Sequence, residues 1–172
     1  SSDVCSSDLL KYKNWYGQAS LRGRLVEGFA AGGIGPDRIV FAASPDSFPE
    51  HLGRYGEADI ALDPFPFNGA TTTFQALWMG VPVVSLAGET FIARMSGSLL
   101  CQVGLGDLAV ETPEAYVARA RELAGDLPRL KALRPDLRRR LVDSPLCDAA
   151  AYAASVESAY RDMWRTWCRG SR

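Results

Sequence analysis

The sequence predicts an α/β fold in which a Rossmann-like parallel sheet is covered by helices on both faces. Short, uniformly apolar segments typical of buried strands alternate with longer segments whose apolar residues recur every three or four positions. Glycine or proline follows several of the helical segments and ends them. Strands joined through helices lie parallel, and such a sheet binds ligands outside the carboxyl ends of its strands.

The predicted elements follow from this alternation in chain order. In the first helix, Leu21, Leu25 and Phe29 share one face with Val26, and Gly32 stops it. The elements up to residue 124 are a partial strand at Leu9–Tyr12, a helix at Ala19–Ala31, a strand at Arg38–Ala43, a helix at Pro49–Gly56, a strand at Asp59–Asp63, a helix at Thr71–Met79, a strand at Val81–Leu86, a helix at Phe91–Val103, a strand at Leu108–Val110 and a helix at Pro113–Ala124.

Two helices without further strands close the chain, at Leu127–Val142 and Ala149–Trp167. The second helix carries an apolar stripe of mixed three- and four-residue steps, formed by Tyr152, Val156, Tyr160, Met163, Trp164 and Trp167. A stripe at helical spacing favours a packing face over a cofactor site, and we expect it to pack across a second lobe.

The first nine residues differ in character from the rest. Ser1–Leu9 repeats the triplet Ser-Ser-Asp, has no periodicity and resembles a translated adapter remnant, although a frayed polar terminus is the alternative. We leave this non-native leader out of the predicted fold. The protein is then expected to continue upstream, with residues 10–172 forming one domain.

Composition excludes several classes of function. Nineteen Lys and Arg against 20 Asp and Glu leave no basic surface for nucleic acid, and no apolar run is long enough to span a membrane. Four scattered cysteines and a single histidine give no metal-ligand spacing, so we expect no metal site. Reduced thiols and the absence of a signal peptide indicate a cytoplasmic protein.

The chemistry is predicted in the strand–loop–helix unit Asp59–Gly80. Asn68-Gly69 alone would suggest a hairpin turn, but the helical spacing that follows contradicts it. Gly69 instead lets the backbone come close to another group, and the unpaired N–H groups at the helix start near Thr71 and Thr72 can hold a phosphate. The alternative is that Thr71 or Thr72 only caps the helix. Neither a Walker loop nor a dinucleotide-binding glycine pattern is present.

Other polar residues fall near the same sheet edge. Asp63 ends its strand, and we expect it to hold N–H groups of the following loop rather than to transfer protons. Thr90 can cap the next helix, while Arg94 and Glu89 are interpreted as solvated or paired charges rather than phosphate ligands. His51 precedes the phosphate-loop strand and can reach a nucleotide, although a lone histidine is more often a surface residue.

A long segment, DIALDPFPFNGATTTFQALWMGVPVVSLAGETFIARMSGSLL, resembles the C-terminal lobe of the O-GlcNAc transferases and their SPINDLY-like relatives, glycosyltransferase family forty-one. The tail, SPLCDAAAYAASVESAYRDMWRTWC, resembles the closing helix of that family. The similarity covers about Leu10–Cys168. It implies the C-terminal lobe of a glycosyltransferase B-type fold, TPR repeats and an N-terminal lobe upstream, and metal-independent, inverting transfer of N-acetylglucosamine from UDP to Ser or Thr of an acceptor protein.

The resemblance also implies a nucleotide-sugar site. Thr71 and Thr72, after Gly69 and Ala70, match the pyrophosphate cradle, while Gln75 stands where an acidic residue faces the ribose. His51 falls near the uracil-contacting position. The substrate-binding residues expected from the sequence are therefore His51, Gly69, Ala70, Thr71, Thr72 and Gln75.

Several positions depart from the family pattern. Ala70 replaces a common histidine, Gln75 offers a neutral amide, and Phe48 stands near the place of a basic residue. The lysine that relatives use to neutralise the leaving diphosphate is expected upstream of the start of this chain, and Lys11 and Lys13 fall after that point in register. We therefore assign no catalytic residue in this chain and expect little transferase activity from it alone. A same-fold transferase using GDP-fucose and a non-catalytic scaffold domain are the alternatives.

Overall fold

A computed structural model of the chain describes residues 7–10 and 15–170, with residue 15 described by its backbone alone. Its α-helices are α1 Ala19–Ala31, α2 Phe48–Gly53, α3 Thr71–Trp78, α4 Met95–Gln102, α5 Pro113–Gly125, α6 Leu127–Val142 and α7 Ala149–Gly170. Its strands are β1 Asp8–Leu10, β2 Ile39–Phe41, β3 Ala61–Asp63, β4 Val83–Leu86 and β5 Ala109–Val110.

All strand pairs within these ranges are parallel, as the sequence predicts. β1 pairs with β2, and β3, β4 and β5 form a second sheet with β4 in the middle. Val83, Val84 and Ser85 follow one another in β4 and all three are buried. Because successive side chains of a strand point to opposite faces, β4 is covered on both sides. The predicted α/β fold is confirmed.

The first strand begins earlier than predicted. Asp8 and Leu9, left out as part of the leader, pair with Ile39 and Val40 in β1. Residues 11 and 12, the other end of the predicted strand Leu9–Tyr12, lie outside the described part of the chain. That Ser1–Leu9 derives from an adapter rather than from the native protein stays a prediction.

Two predicted helices are divided in the structure. The segment predicted at Pro49–Gly56 is α2 followed by a 3₁₀ turn at Arg54–Glu57, and Ser47 caps α2 by accepting the Glu50 N–H at 3.3 Å. The segment predicted at Phe91–Val103 is a 3₁₀ turn at Ile92–Arg94 followed by α4. Periodicity locates an apolar face but does not distinguish a tight first turn from a regular one.

The core lies between the second sheet and the helices α3 to α6. It is formed mainly by aliphatic side chains: Ala76, Leu77, Val81, Val83, Val84, Leu100, Val103, Leu105, Leu108, Leu123, Leu133, Leu137 and Leu141. Gly80 ends α3 at a φ of 80°, and a Cβ there would collide with the backbone carbonyl of Arg134 in α6. This position therefore requires glycine, both for its left-handed backbone and for the close approach of α6 to the end of α3.

The apolar stripe of α7 is exposed, whereas the sequence predicts a packing face. Five of its large side chains are between 57% and 71% exposed: Tyr152, Tyr160, Met163, Trp164 and Trp167. Helical spacing identifies an apolar face but not the surface that covers it. Packing across a second lobe therefore stays a prediction.

Among the described residues, every helix is too short or too polar to cross a bilayer.

Candidate functional site

The loop that follows β3 and the loop that follows β4 emerge from one edge of the second sheet. β3 and β4 run parallel with Asp63 opposite Ser85, so the chain leaves both strands in the same direction. Asn68, in the first loop, is buried, and its side-chain N–H donates to the Leu86 carbonyl at the end of β4 at 3.1 Å. The hydrogen bond from Asn68 joins the two loops, which a hairpin turn at Asn68-Gly69 would not do.

Asp63 holds the loop as the sequence predicts. Its Oδ1 accepts the Gly69 N–H at 2.7 Å, and its Oδ2 accepts the Ser85 hydroxyl at 2.9 Å. Both carboxylate oxygens are therefore occupied by groups of the protein. Hydrogen bonds to the ionised carboxylate are among the stronger ones in proteins, so this contact fixes the position of Gly69.

Gly69 lies directly beneath the first turn of α3. A Cβ at this position would collide with the Thr72 hydroxyl and would lie 2.6 Å from Thr73 Oγ1 and 3.3 Å from the Thr73 nitrogen. Only a residue without a side chain allows this approach. The expectation that Gly69 serves a close backbone approach is confirmed, because the partner it approaches is the start of α3.

The first turn of α3 presents backbone donors at the surface. Ala70 occupies the cap position and has no side-chain acceptor, and the first ladder bond runs from the Phe74 N–H to the Ala70 carbonyl at 3.0 Å. The N–H groups of Thr71 and Thr72 precede that ladder, and both residues are exposed. The alternative that Thr71 or Thr72 is merely the helix cap is wrong, because both lie inside the first turn.

His51 and Gln75 are brought together from α2 and α3. His51 Nε2 lies 2.9 Å from Gln75 Oε1, and because an amide oxygen only accepts, Nε2 carries the proton in this pair. The Phe48 ring lies nearly parallel to the imidazole at 6.0 Å, and the Tyr55 ring meets it edge-on at 5.9 Å. The Tyr55 hydroxyl donates to the Thr72 carbonyl at 3.2 Å, which ties α2 and the turn after it to the start of α3.

The six residues expected from the sequence thus form one surface region. His51 contacts Gln75, and Gly69, Ala70, Thr71 and Thr72 run into the same helix. Sequence reasoning missed Tyr55, although its position four residues after His51 places both on one helical face. It also missed Thr73 and Ser96, which are buried behind the loop. A single threonine or serine in a helical segment gives no sequence signal of such a position.

The second loop, which follows β4, carries polar residues of its own. Thr90 accepts the Ala93 N–H at 3.3 Å, but the cap positions of the 3₁₀ turn and of α4 are Phe91 and Arg94 rather than Thr90. Arg94 and Glu89 are exposed. Gly88 lies against the ring of Phe65, where a Cβ would come within 3.1 Å.

The pKa of Tyr116, a residue of α5, depends in part on Asp63 at this edge of the sheet. Burial, and then the negative charge of Asp63, raise the pKa of Tyr116 to about 12. Burial also raises the pKa of Tyr55. In both cases the folded state disfavours the ionised phenol.

The raised pKa values of Tyr116 and Tyr55 predict that the folded state loses stability at alkaline pH. An unfolded tyrosine ionises near pH 10, so between pH 10 and about 12 the unfolded state binds fewer protons than the folded state. The free energy of unfolding should therefore fall with rising pH across that interval, and Tyr116→Phe should make the decline shallower. Urea unfolding at a series of pH values measures both slopes, and an unchanged slope in Tyr116→Phe would contradict the assignment.

A metal site is not formed among the described residues, which contain no cluster of three His, Cys, Asp or Glu side chains able to hold an ion. The cysteines at positions 101, 147 and 168 are free thiols and exposed.

Comparison with known proteins gives a consistent result. A family model described as "Glycosyl transferase family 41" matches residues 17–156. The chain is 39% identical over 151 residues to a rice protein named "Probable UDP-N-acetylglucosamine--peptide N-acetylglucosaminyltransferase SPINDLY", covering 88% of this chain and 16% of that protein. It is 37% identical over 144 residues to an Arabidopsis thaliana relative of the same description named SEC, covering 83% and 15%.

A solved structure agrees with these sequence matches. A mutant of the O-GlcNAc transferase of Thermobaculum terrenum superimposes with a TM-score of 0.82 at 36% identity. The match covers 91% of this chain and 30% of that one. The chain therefore has the fold of that region and spans less than a third of each of these three relatives.

Proposed function

The chain belongs to glycosyl transferase family 41, and we propose that it is the donor-binding lobe of a protein O-linked N-acetylglucosaminyltransferase. The lobe holds UDP-N-acetylglucosamine while the sugar passes to a Ser or Thr hydroxyl of an acceptor protein. The observation that carries this proposal is the exposed first turn of α3, held in place by Gly69 beneath it. The names of the relatives support the choice of sugar and acceptor.

The first turn of α3 suits a diphosphate for electrostatic reasons. The N–H groups of Thr71 and Thr72 stand at the positive end of the helix dipole, and their hydroxyls add donors without adding charge. Negative charge builds on the diphosphate as the sugar departs, and fixed donors stabilise it without rearrangement. This donor set supplies in part what a metal ion supplies in other transferases, and we propose that the reaction needs none.

The opposite side of the site suits a nucleoside. His51, Phe48 and Tyr55 form an aromatic group beside Gln75, one helical turn beyond Thr71. In this arrangement Gln75 can offer an amide to a ribose hydroxyl, and His51 lies where a base can reach it. Gln75 is neutral and hydrogen-bonded to His51, so it forms no ion pair with the nucleoside. The nucleobase is held instead by stacking on the aromatic group and by hydrogen bonds.

The remainder of the enzyme is also part of the proposal. The exposed stripe of α7 packs on an N-terminal lobe, which forms the other wall of the cleft and contributes the lysine that neutralises the leaving diphosphate. TPR repeats precede that lobe. We expect this chain to bind donor nucleotide but to transfer little sugar by itself, so nucleotide binding is the appropriate test.

Calorimetric titration of the chain with UDP and GDP tests the donor assignment. We expect UDP to bind and the double variant Thr71→Ala/Thr72→Ala to lose about 1–3 kcal/mol of binding free energy, because two hydroxyl contacts to a charged group disappear. Thr166→Ala, which removes an exposed hydroxyl on α7, is the control and should bind as the unmodified chain does.

Two results would contradict the proposal, and a third would remove the threonine hydroxyls from the phosphate site. Tighter binding of GDP would identify a same-fold transferase with another donor. Failure of any nucleoside diphosphate to bind at millimolar concentration would favour a non-catalytic scaffold. Unchanged affinity in the double variant would leave the backbone N–H groups as the whole of the phosphate site.

A further inference from the structure

Two hydroxyl groups lie buried behind the first turn of α3. Ser96, the second residue of α4, is fully buried, and Thr73 is 3% exposed. The Ser96 hydroxyl donates to the Gly69 carbonyl at 2.8 Å and lies 2.7 Å from Thr73 Oγ1. These contacts join α4 to the loop and to α3 at one point.

The direction of each hydrogen bond follows from the available protons. A serine hydroxyl has one proton, and a carbonyl oxygen can only accept, so the Ser96 proton is directed at Gly69. Thr73 must therefore donate to Ser96. The three successive threonines then differ in role, because the Thr73 proton is committed inside the protein while Thr71 and Thr72 are exposed residues.

Holding the Gly69 carbonyl also orients the next amide. Phe65–Pro66 is the cis peptide within the described residues, so the peptide between Gly69 and Ala70 is trans. Across a trans peptide the C=O and the N–H point in opposite directions. Because the Gly69 carbonyl points inward to Ser96, the Ala70 N–H points away from the core, on the side of the exposed Thr71 and Thr72.

We propose that Ser96 is a positioning residue that aims the Ala70 N–H at the diphosphate of the donor. Asp63 holds the N–H of Gly69 and Ser96 holds its carbonyl, so each of the two peptides that meet at Gly69 has one hydrogen bond to a side chain. Thr73 keeps the Ser96 hydroxyl in the required rotamer. This inference rests on the proposed donor site and adds a third backbone donor to it.

Ser96→Ala tests the proposal in the 172-residue chain, with UDP and uridine as the two probes. Loss of one hydrogen bond that orients a donor should weaken UDP binding roughly 3- to 10-fold, by the usual net value of such a bond. Uridine, which lacks phosphate, should bind within about 2-fold of its original affinity in NMR titration, because it has no group that the Ala70 N–H can hold. Ser98→Ala, an exposed position on the same helix, is the matched control.

Thr73 provides a second pair of variants. Thr73→Val removes the donor to Ser96 and should weaken UDP binding less than Ser96→Ala does, whereas Thr73→Ser keeps the hydroxyl and should restore it. Equal losses for UDP and uridine in Ser96→Ala, or no loss for either, would overturn the proposal.

Amide hydrogen exchange separates this inference from the proposed function. In Ser96→Ala the Gly69 N–H should exchange faster by roughly 3- to 10-fold, because its hydrogen bond to Asp63 loses support. If the unmodified chain binds no UDP, the donor-site proposal fails. Faster exchange of the Gly69 N–H in Ser96→Ala would then show that Ser96 holds the loop but positions no donor for a diphosphate. Unchanged exchange at Gly69 would overturn the positioning role itself.

Discussion

Gly69→Ala is expected to weaken UDP binding more than any other single substitution in the loop. The new Cβ would collide with the Thr72 hydroxyl and lie 2.6 Å from Thr73 Oγ1. Thr72 can rotate away, but the Thr73 hydroxyl is fixed by Ser96, so the backbone must move. A forced shift of this kind costs about 1–3 kcal/mol, which corresponds to roughly 5- to 150-fold in the dissociation constant when it falls on the binding amides.

Calorimetry with UDP measures this loss, and Gly28→Ala is the matched control. Gly28 lies in α1, exposed, with no atom within 4 Å of the added Cβ. Alanine there should leave UDP affinity unchanged and raise the free energy of unfolding by about 0.5–1 kcal/mol, since glycine is a poor helix residue. Wild-type affinity in Gly69→Ala would show that the first turn of α3 does not hold the ligand.

Leu137→Ala is expected to produce the largest loss of stability. Leu137 in α6 is fully buried in the core that joins α6 to α3 and β4. Truncation of such a leucine costs about 2–5 kcal/mol, because the lost transfer free energy adds to that of the cavity left behind. A domain of this size has roughly 5–15 kcal/mol of stability, so the change is a large fraction of the total.

Urea unfolding followed by far-ultraviolet circular dichroism measures this effect, with Trp164→Ser as the comparison. Trp164 in α7 is 67% exposed, so its replacement should change the free energy of unfolding of this chain by less than about 0.5 kcal/mol. A cost in Trp164→Ser as large as that in Leu137→Ala would mean that the α7 stripe is covered in solution.

The sequence was sufficient for elements whose boundaries are encoded locally. The predicted limits of α1 and α6 are those observed. For α6 the signal is Asp126, whose Oδ1 accepts the Arg129 N–H at 3.0 Å and so caps the helix. Asp63 was also interpreted correctly, because a carboxylate at a strand end followed by a glycine-containing loop has few other partners.

Features that depend on distant contacts could not be predicted. β2 is Ile39–Phe41 rather than Arg38–Ala43, and its three residues pair with Asp8–Leu10, a long-range contact that the local sequence does not encode. The role of Ser96 depends on α4 crossing behind Gly69, 27 residues away in the chain. The spacing of the α7 stripe identifies an apolar face but carries no information about the surface that covers it.

The hydrogen bonds around Gly69 also bear on the entropy of binding. Asn68 fixes the loop to the end of β4, while Asp63 and Ser96 immobilise the two peptides that flank Gly69. A ligand therefore meets amides that were ordered when the chain folded, and little conformational freedom is left for it to remove. Preorganisation of this kind favours a short, rigid anion over a flexible one and gives association with a small entropic penalty.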